Sequence, residues 1–314
     1  MRPMLKPALV PMWRSDSALQ LGLDPAHARV VEGFTETGRL VLGLLDGSRD
    51  LDQIRAEAGT AGADRSTVDR LLDTLSRCSL LDDAALDAGP LRELDPGSRD
   101  RLAPELSALS LLRPGPGAAT ATLGRRRQAR LAVAGPAVLT DRIAELLESA
   151  GVAQVGVYAS LTELAPHTVG RRAPDFVVLA TVGLLDLTAF AVLDNLTLPH
   201  LAVSVRELTG IVGPLVLPGS TSCLHCQELQ RADRDPRWPS LSLQFHQLTA
   251  GLRCPATLAA MVAATATMQV LSHLDGDLPA TIEGSLEVTL PDWRLRRRSW
   301  HRHPECPCVL SDAG

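Results

Sequence analysis

The stretch that decides the fold is Gly213-Pro-Leu-Val-Leu-Pro-Gly-Ser-Thr-Ser-Cys-Leu-His-Cys226, which is completed near the carboxyl terminus by Cys306-Pro-Cys308. It contains one of two cysteine pairs that lie far apart in the sequence. A closely spaced pair places both sulfurs on one side of a tight knuckle, and two knuckles supply the four-sulfur tetrahedron that Zn²⁺ prefers. The sequence therefore predicts one structural zinc, held by Cys223, Cys226, Cys306 and Cys308.

Alternative ligands and cysteine states remain open at this point. Only one residue separates Cys306 from Cys308, a tighter spacing than the usual two, so His303 is an alternative fourth ligand. Disulfides or free thiols are the other interpretations of the cluster. Cys78 and Cys254 have no close partner in the sequence, and we expect them to be small buried residues.

Composition limits the class of protein. The chain has 314 residues, of which 45% are hydrophobic, and this is enough for two domains with real cores. The net charge of -5 argues against a surface devoted to nucleic acid. No segment reaches about 18 uninterrupted apolar residues, so we expect no membrane span and a cytoplasmic location where thiols stay reduced.

The first 90 residues predict a small domain of strands followed by helices. Short strands are expected at 8–13, 18–22 and 28–32. Helices are expected through residue 45 after a cap at Thr35 or Thr37, at 51–58 after Asp50, and at 68–75 after Asp64 or Ser66. Three strands with three helices predict a winged-helix-like unit.

Residues 91–129 predict a linker, and residues 130–314 predict a second domain. The linker is poorly periodic and contains Pro114-Gly-Pro-Gly117 and Arg125-Arg-Arg127. Beyond it, apolar strands at 131–134, 155–158, 175–180 and 200–204 alternate with helical segments, which is typical of a parallel, doubly wound sheet. A long apolar helix at 256–274 is expected to pack on that sheet, with closing strands at 285–289 and 293–298.

The order of these motifs resembles the ThiF-type adenylyltransferases, relatives of the ubiquitin-activating enzymes. The resemblance covers about residues 130–308 and rests on the first strand ending at Gly135, the later strands, the Gly213 stretch and the cysteine pairs. It implies a Rossmann-type fold with a zinc knuckle. In active members it also implies ATP, bound on a glycine-rich first turn.

The positions that match the ATP-binding motifs of that family are altered in this chain. The first turn has Gly135 but then Pro136, which lacks the N–H that a phosphate would accept from. No acid follows the second strand near Tyr158, and Thr181 occupies the place of the magnesium-binding aspartate. Asp186 could replace that aspartate only if its loop folds back, and Lys6 is the only lysine. We therefore expect a pseudoenzyme in which Gly135 marks a degenerate nucleotide turn, with no ATP bound.

A winged-helix domain fused to a degenerate ThiF-type domain resembles the partner proteins of the cyclodehydratases that make thiazole and oxazoline peptides. That resemblance implies that a leader peptide adds as a strand between the third strand and the third helix. The receiving edge would be residues 28–32, the other wall would be residues 66–77, and the groove residues would be Val30, Val31, Leu71 and Leu75, with Cys78 beside them. Alternatively, these residues only fill the small core.

Three functions remain open from the sequence. The first is a noncatalytic adaptor that presents a peptide or partner protein to a modifying enzyme such as a cyclodehydratase. The second is an active adenylyltransferase that acts on a peptide or carrier-protein carboxylate. The third is a DNA-binding regulator, which we do not expect because acids nearly balance arginines in the predicted helices. A homodimer is compatible with each function.

Overall fold

The computed structural model describes residues 1–87, 91, 94–185, 192, 197–248 and 253–310. The chain divides into two compact units, Met1–Gly124 and Arg125–Gly314. Helices and strands occur in both units, so the α/β class expected from the sequence is confirmed at this coarse level.

The first unit contains two small antiparallel sheets. Strands β2, β3 and β4 form a three-stranded sheet in that order, and β1 pairs with β5. The strands are β1 Pro3–Leu5, β2 Pro11–Trp13, β3 Ala18–Leu21, β4 Arg29–Glu32 and β5 Leu81–Asp83. The helices are α1 Glu36–Gly43, α2 Leu51–Thr60, α3 Arg65–Arg77, α4 Ala84–Asp87, α5 Pro96–Leu112 and α6 Ala118–Gln128, of which α6 extends past the boundary.

The helices of the first unit begin at residues whose side chains cap them. Thr35 accepts from the N–H of Gly38, and Asp64 accepts from the N–H of Thr67. Asp50 and Gln53 form a reciprocal capping box at the start of α2. Each cap pairs a backbone N–H that a helix start would otherwise leave without a partner.

Residues 91–129 contain two helices, α5 and α6, where the sequence predicted a linker. Leu102, Leu109, Ala119 and Leu123 form a buried apolar cluster between them. The apolar and buried positions of this stretch do not follow a clear helical period, because buried polar residues such as Ser110 and Thr120 interrupt them.

The second unit is built on a seven-stranded mixed sheet in the order β12-β11-β10-β9-β8-β6-β7. Strands β6 to β9 are parallel, as predicted, whereas β10 to β12 pair in antiparallel fashion. The strands are β6 Arg130–Ala134, β7 Gln154–Tyr158, β8 Phe176–Val182, β9 His200–Arg206, β10 Thr209–Val216, β11 Gly284–Thr289 and β12 Leu295–Ser299. The helices are α7 Ala137–Ser149, α8 Leu161–Leu164, α9 Leu224–Arg234, α10 Trp238–Leu248, α11 Ala256–Leu274 and α12 Pro307–Leu310, and Ala165–His167 is a 3-10 turn.

Each face of this sheet has its own apolar core. Leu131 and Val133 belong to the core cluster that includes residues of α7 and α11, while Ala132 and Ala134 belong to a cluster with Leu164 and Leu224. Alternate residues of β6 therefore serve opposite faces. Among the described residues one helix, α11, is long and apolar enough to cross a membrane by length and composition. Its buried residues pack in the core instead, among them Leu258, Val262 and Val270.

Candidate functional sites

Strand β4 is an edge strand of its sheet, with β3 as its one neighbour in the sheet among the described residues. On the far side of β3, Arg14 donates to the carbonyl of Ala18 at 2.9 Å and Gly22 donates to that of Val10 at 3.0 Å. Backbone groups of an antiparallel strand alternate in direction. Leu19 and Leu21 therefore turn their N–H and C=O groups toward β4.

The register of β3 with β4 then decides which groups of β4 are free. Leu19 pairs with Val31, and Leu21 pairs with Arg29. The N–H and C=O groups of Val30 and Glu32 consequently point outward from the sheet. This edge offers main-chain donors and acceptors to a further strand.

A groove separates β4 from α3. Its walls contain Val31, Glu32, Gly33, Phe34, Thr35, Gly38, Thr67, Arg70, Leu71 and Thr74. Two of the predicted groove residues, Val31 and Leu71, are half-buried and lie in this lining.

The other predicted groove residues lie elsewhere. Leu75 is fully buried in the core of the first unit and does not line the groove, so at this position the core alternative holds. Val30 is 45% exposed, and its side chain is on the opposite face of the sheet from Val31. Cys78 is exposed at the end of α3, which differs from the buried position expected for it.

The turn after β6 packs closely against β8. Gly135 has φ near 140°, and a Cβ at that position would lie 2.0 Å from the carbonyl oxygen of Ala180 on β8. Its N–H donates to the carbonyl of Tyr158 at 2.9 Å. Pro136 caps α7 without a side-chain hydrogen bond and has no N–H of its own. A glycine is thus required here for close approach of β8 to the turn.

Tyr158 and Thr181, two further positions at which the sequence lacks the residues of an ATP site, contact other parts of the protein. The ring of Tyr158, at the end of β7, stacks at 5.2 Å on that of His167. Thr181 on β8 donates its hydroxyl to the carbonyl of Leu184. Asp186 lies outside the described residues.

The four cysteines of the two pairs come together in one cluster. Their sulfurs all lie within 4.8 Å of one another. Cys223 Sγ is 3.7 Å from Cys226 Sγ and 3.5 Å from Cys306 Sγ, and Cys226 Sγ is 3.4 Å from Cys308 Sγ. Sulfurs around a tetrahedral zinc are about 3.8 Å apart, given zinc–sulfur bonds of about 2.3 Å. The cluster could therefore hold a metal ion of this size.

His303 supports the cluster through its backbone and directs its ring elsewhere. Its N–H donates to Cys226 Sγ at 3.3 Å. Its ring Nε2 is 2.9 Å from Asp233 Oδ2, and its Nδ1 accepts from the N–H of Glu305. Both ring nitrogens are engaged, so the geometry favours the fourth cysteine over this histidine.

Burial makes two thiols of the cluster, those of Cys223 and Cys306, poor acids. It raises the pKa of Cys223 to about 12 and also raises the pKa of Cys306. Burial acts in the same direction on Cys226, but hydrogen bonds from His303 and neighbouring groups bring the pKa of Cys226 below its ordinary value. A bound metal cation would stabilise all four thiolates.

Sequence reasoning missed a cavity at the carboxyl ends of β8 and β9, where Arg206 and Gln227 face the same space. A local signal existed, because Gln227 and Arg231 are four residues apart and hence neighbours on one helix face. The position of an arginine at the end of a parallel strand was a second signal.

No protein-family model and no curated protein matches this sequence. Solved structures do share its fold. A heterocyclase in complex with substrate and cofactor is 16% identical at a TM-score of 0.68, and the alignment covers 98% of this chain and 39% of that one. The heterocyclase TruD is 18% identical at a TM-score of 0.68, covering 98% and 42%. MccB of E. coli, crystallised with AMPCPP and selenomethionine-labelled MccA, is 10% identical at a TM-score of 0.64, covering 98% and 99%.

At these identities the likeness shows the fold alone. The chain spans about two fifths of the length of the two heterocyclases and nearly the whole length of MccB.

Proposed function

We propose that this protein is a noncatalytic adaptor that binds an extended peptide along β4 and presents it to a separate modifying enzyme, such as a cyclodehydratase. The observation that carries the proposal is the outward-facing backbone of Val30 and Glu32 beside the groove between β4 and α3. In this proposal the first unit is a winged-helix-like peptide-recognition domain, and the second is a degenerate ThiF-like scaffold.

Strand addition would supply the affinity. A peptide laid along β4 can pair its main chain with the N–H and C=O groups of Val30 and Glu32, which extends the three-stranded sheet by one strand. The sheet ends there, so no existing pairing has to break. Such pairing is independent of sequence and suits a peptide whose side chains are read separately.

The groove would supply the specificity. Alternate side chains of an added strand face the α3 side, where Val31, Phe34 and Leu71 offer apolar contact. Arg70 and Glu32 stand exposed at the same groove and can pair with charged positions of the peptide. We expect a bound peptide with apolar residues at every second position and polar residues between them.

The charges of α2 and α3 favour a peptide over DNA. Arg55 pairs with Asp52 and Asp69, at 3.0 and 2.9 Å. Arg77 of α3 pairs with Asp73 at 3.1 Å. Arginines that are already matched by acids on the same helices give little positive field for a phosphate backbone.

The noncatalytic part of the proposal rests on the first turn of the second unit. Pro136 removes a phosphate-facing donor, and Gly135 is used for packing against Ala180. The two heterocyclases are also much longer than this chain, which is compatible with a catalytic part on a separate protein here. ATP-dependent pyrophosphate exchange by the purified protein would contradict this part and favour an active adenylyltransferase.

We also propose that the four-cysteine cluster of the second unit holds a structural zinc ion. Cys223, Cys226, Cys306 and Cys308 fit a structural zinc because they provide four thiolates, at the required separations, and no open position for a substrate. The ion would join the start of α9 to the tail after β12. Its role would be to hold the scaffold together rather than to act on a substrate.

The test uses proline on β4. Peptides would be selected from a displayed library of random peptides on the immobilised full-length protein, and dissociation constants measured for the enriched ones. Val30→Pro removes one outward N–H and blocks pairing at that point, so we expect binding at least about tenfold weaker, as for the loss of a strand contact worth more than about 1.4 kcal/mol. Val30→Ala keeps the N–H and changes only an exposed side chain, so it should bind within about threefold of the parent.

Circular dichroism and zinc content must be unchanged in both variants. A folded Val30→Pro protein that binds selected peptides as tightly as the parent would remove strand addition as the mechanism. Failure to enrich any peptide would remove the adaptor function itself.

A further inference from the structure

A second cavity lies in the second unit, where β8 and β9 end and α9 covers the sheet. It is a small cavity, with about 40 Å³ of room for the centres of water-sized molecules. Arg206 is the last residue of β9, and Gln227 belongs to the first turn of α9. The carboxyl ends of parallel strands are the edge at which open α/β sheets bind ligands.

Two donors in this cavity have no hydrogen-bond partner in the part of the chain that the structure describes. They are the buried Nε of Arg206 and the Nε2 of Gln227. Gln227 is only 4% exposed, and its Oε1 already accepts from Arg231. A buried donor without an acceptor costs about 1–3 kcal/mol, so natural proteins rarely keep one without a reason.

Among the described residues, Arg206 is a positive group of this cavity that forms no direct ion pair, although the carboxylates of Glu228, Glu287 and Glu207 act on its charge from farther away. Glu228 pairs with Arg231 and also accepts from Trp238 Nε1 at 2.6 Å. Arg206 makes no ion pair with any described residue. Burial, and after it the charge of Arg231, lowers the pKa of Arg206 to about 10, although three nearby glutamates act in the opposite direction. An anion in the cavity would offset this cost.

The walls determine what kind of anion fits. Leu179, Leu185, Ile211 and Leu224 contribute apolar surface beside the two donors. We propose that this cavity binds a small apolar monocarboxylate, with Arg206 and Gln227 donating to its two oxygens and the leucines packing against its hydrocarbon part. Both residues line this cavity, and a guanidinium and an amide are suitable donors for a planar, singly charged carboxylate.

A nucleotide fits the same cavity poorly. A triphosphate carries several negative charges, whereas one unpaired guanidinium is available, and the carboxylate of Glu228 lines the same space. This site is also independent of the β4 groove, because all its residues belong to the second unit. Failure of one proposal leaves the other standing.

The experiment measures binding of acetate, butyrate and hexanoate to the full-length, zinc-loaded protein by calorimetry, with butyramide and inorganic phosphate as comparison ligands. Each buried CH₂ should tighten binding about fourfold, and the neutral amide should bind at least about tenfold more weakly than the acid. Equal binding of acid and amide, no gain along the series, tighter binding of phosphate, or no binding at millimolar concentrations would each overturn the proposal.

Variants test the two donors. Arg206→Met and Gln227→Met each remove a donor that the protein leaves unused, so both should fold, retain zinc and lose at least about tenfold in butyrate affinity. Arg234→Met changes an exposed arginine of the same helix outside the cavity and should bind butyrate like the parent. If Arg206→Met does not fold, the butyrate affinities of Gln227→Met and Arg206→Lys test the assignment instead. Unchanged butyrate affinity in a folded donor variant would overturn the assignment.

Discussion

At the scale of single residues, two buried cations show how ion pairs offset the cost of burying a charge. Arg126 binds both oxygens of Asp275, at 2.8 and 2.7 Å, and each side chain is 5% exposed. Lys6 is 2.9 Å from Asp82 and 3.0 Å from Ser110 Oγ. Both of these buried cations have a carboxylate and a further acceptor, which offsets the desolvation cost.

His200 is a buried group of another kind, because no acidic side chain among the described residues pairs with it. It is 4% exposed, and its Nδ1 is 3.0 Å from the carbonyl of Leu198. Burial lowers its pKa below the ordinary value of 6.5, and burial has the same effect on His273. The folded state thus resists protonation of these two rings more strongly than the unfolded state does.

The lowered pKa of these histidines makes the free energy of unfolding depend on pH. Below about pH 6.5 the unfolded chain binds protons that the folded protein excludes, so the free energy of unfolding falls with decreasing pH, by up to about 1.4 kcal/mol per pH unit for the deeply buried His200. We predict that His200→Asn, whose amide can still donate to Leu198, flattens this slope between pH 6.5 and 5. Urea unfolding across that range measures it, and an unchanged slope would contradict the prediction.

At the scale of elements, close packing of α11 on the sheet depends on one glycine. A Cβ on Gly210 of β10 would lie 2.2 Å from Cγ2 of Val262 and 3.2 Å from Cδ1 of Leu258, both on α11. The helix could accommodate a methyl group only by moving away from the strand. Interiors are packed too densely for such a shift to be free.

We therefore predict that Gly210→Ala lowers the free energy of unfolding of the second unit by about 1–3 kcal/mol. Val262→Ala alone should also destabilise, because it removes buried methyl groups. The double variant should lose less than the sum of the two, because the second change makes room for the first. Hydrogen exchange of peptides from this unit measures the destabilisation in the two single variants and the double variant. Strictly additive effects would argue against the contact between Gly210 and Val262.

At the scale of the whole molecule, each unit has its own core, and the cysteine cluster belongs to the second. Trp300 anchors the tail near that cluster: it is 1% exposed, its Nε1 donates to Ser285 Oγ at 2.9 Å, and its carbonyl accepts from Ser222. A metal ion on the four cysteines would add a crosslink between the same two parts of the chain.

We predict about one zinc per chain, and a loss of protection confined to the second unit when it is removed. After chelation, or in Cys306→Ser, hydrogen exchange should quicken around α9 and after β12, while peptides of β2 to β4 keep their rates. Zinc analysis of protein prepared without chelator checks the first part. A zinc-free native protein, or equal destabilisation of both units, would refute the prediction.

The sequence by itself determined the elements that depend on local pattern. Apolar runs predicted the parallel strands β6 to β9, because strand period involves residues close in the chain. Capping residues likewise marked the helix starts, at Asp50 alone and at Thr35 or Thr37 and Asp64 or Ser66, and the structure selects Thr35 and Asp64. The spacing of the cysteines likewise predicted that two distant pairs would meet.

Only the tertiary structure decided which groups remain free. The outward backbone of Val30 follows from the register of β4 with β3, and the choice of Leu71 for the groove and Leu75 for the core follows from how α3 packs. The donors of Arg206 and Gln227 are unpaired because the fold places no acceptor of the described residues within hydrogen-bond distance of them. Strand register, side-chain packing and the pairing of polar groups depend on contacts between residues far apart in the sequence. A local sequence pattern does not predict such contacts.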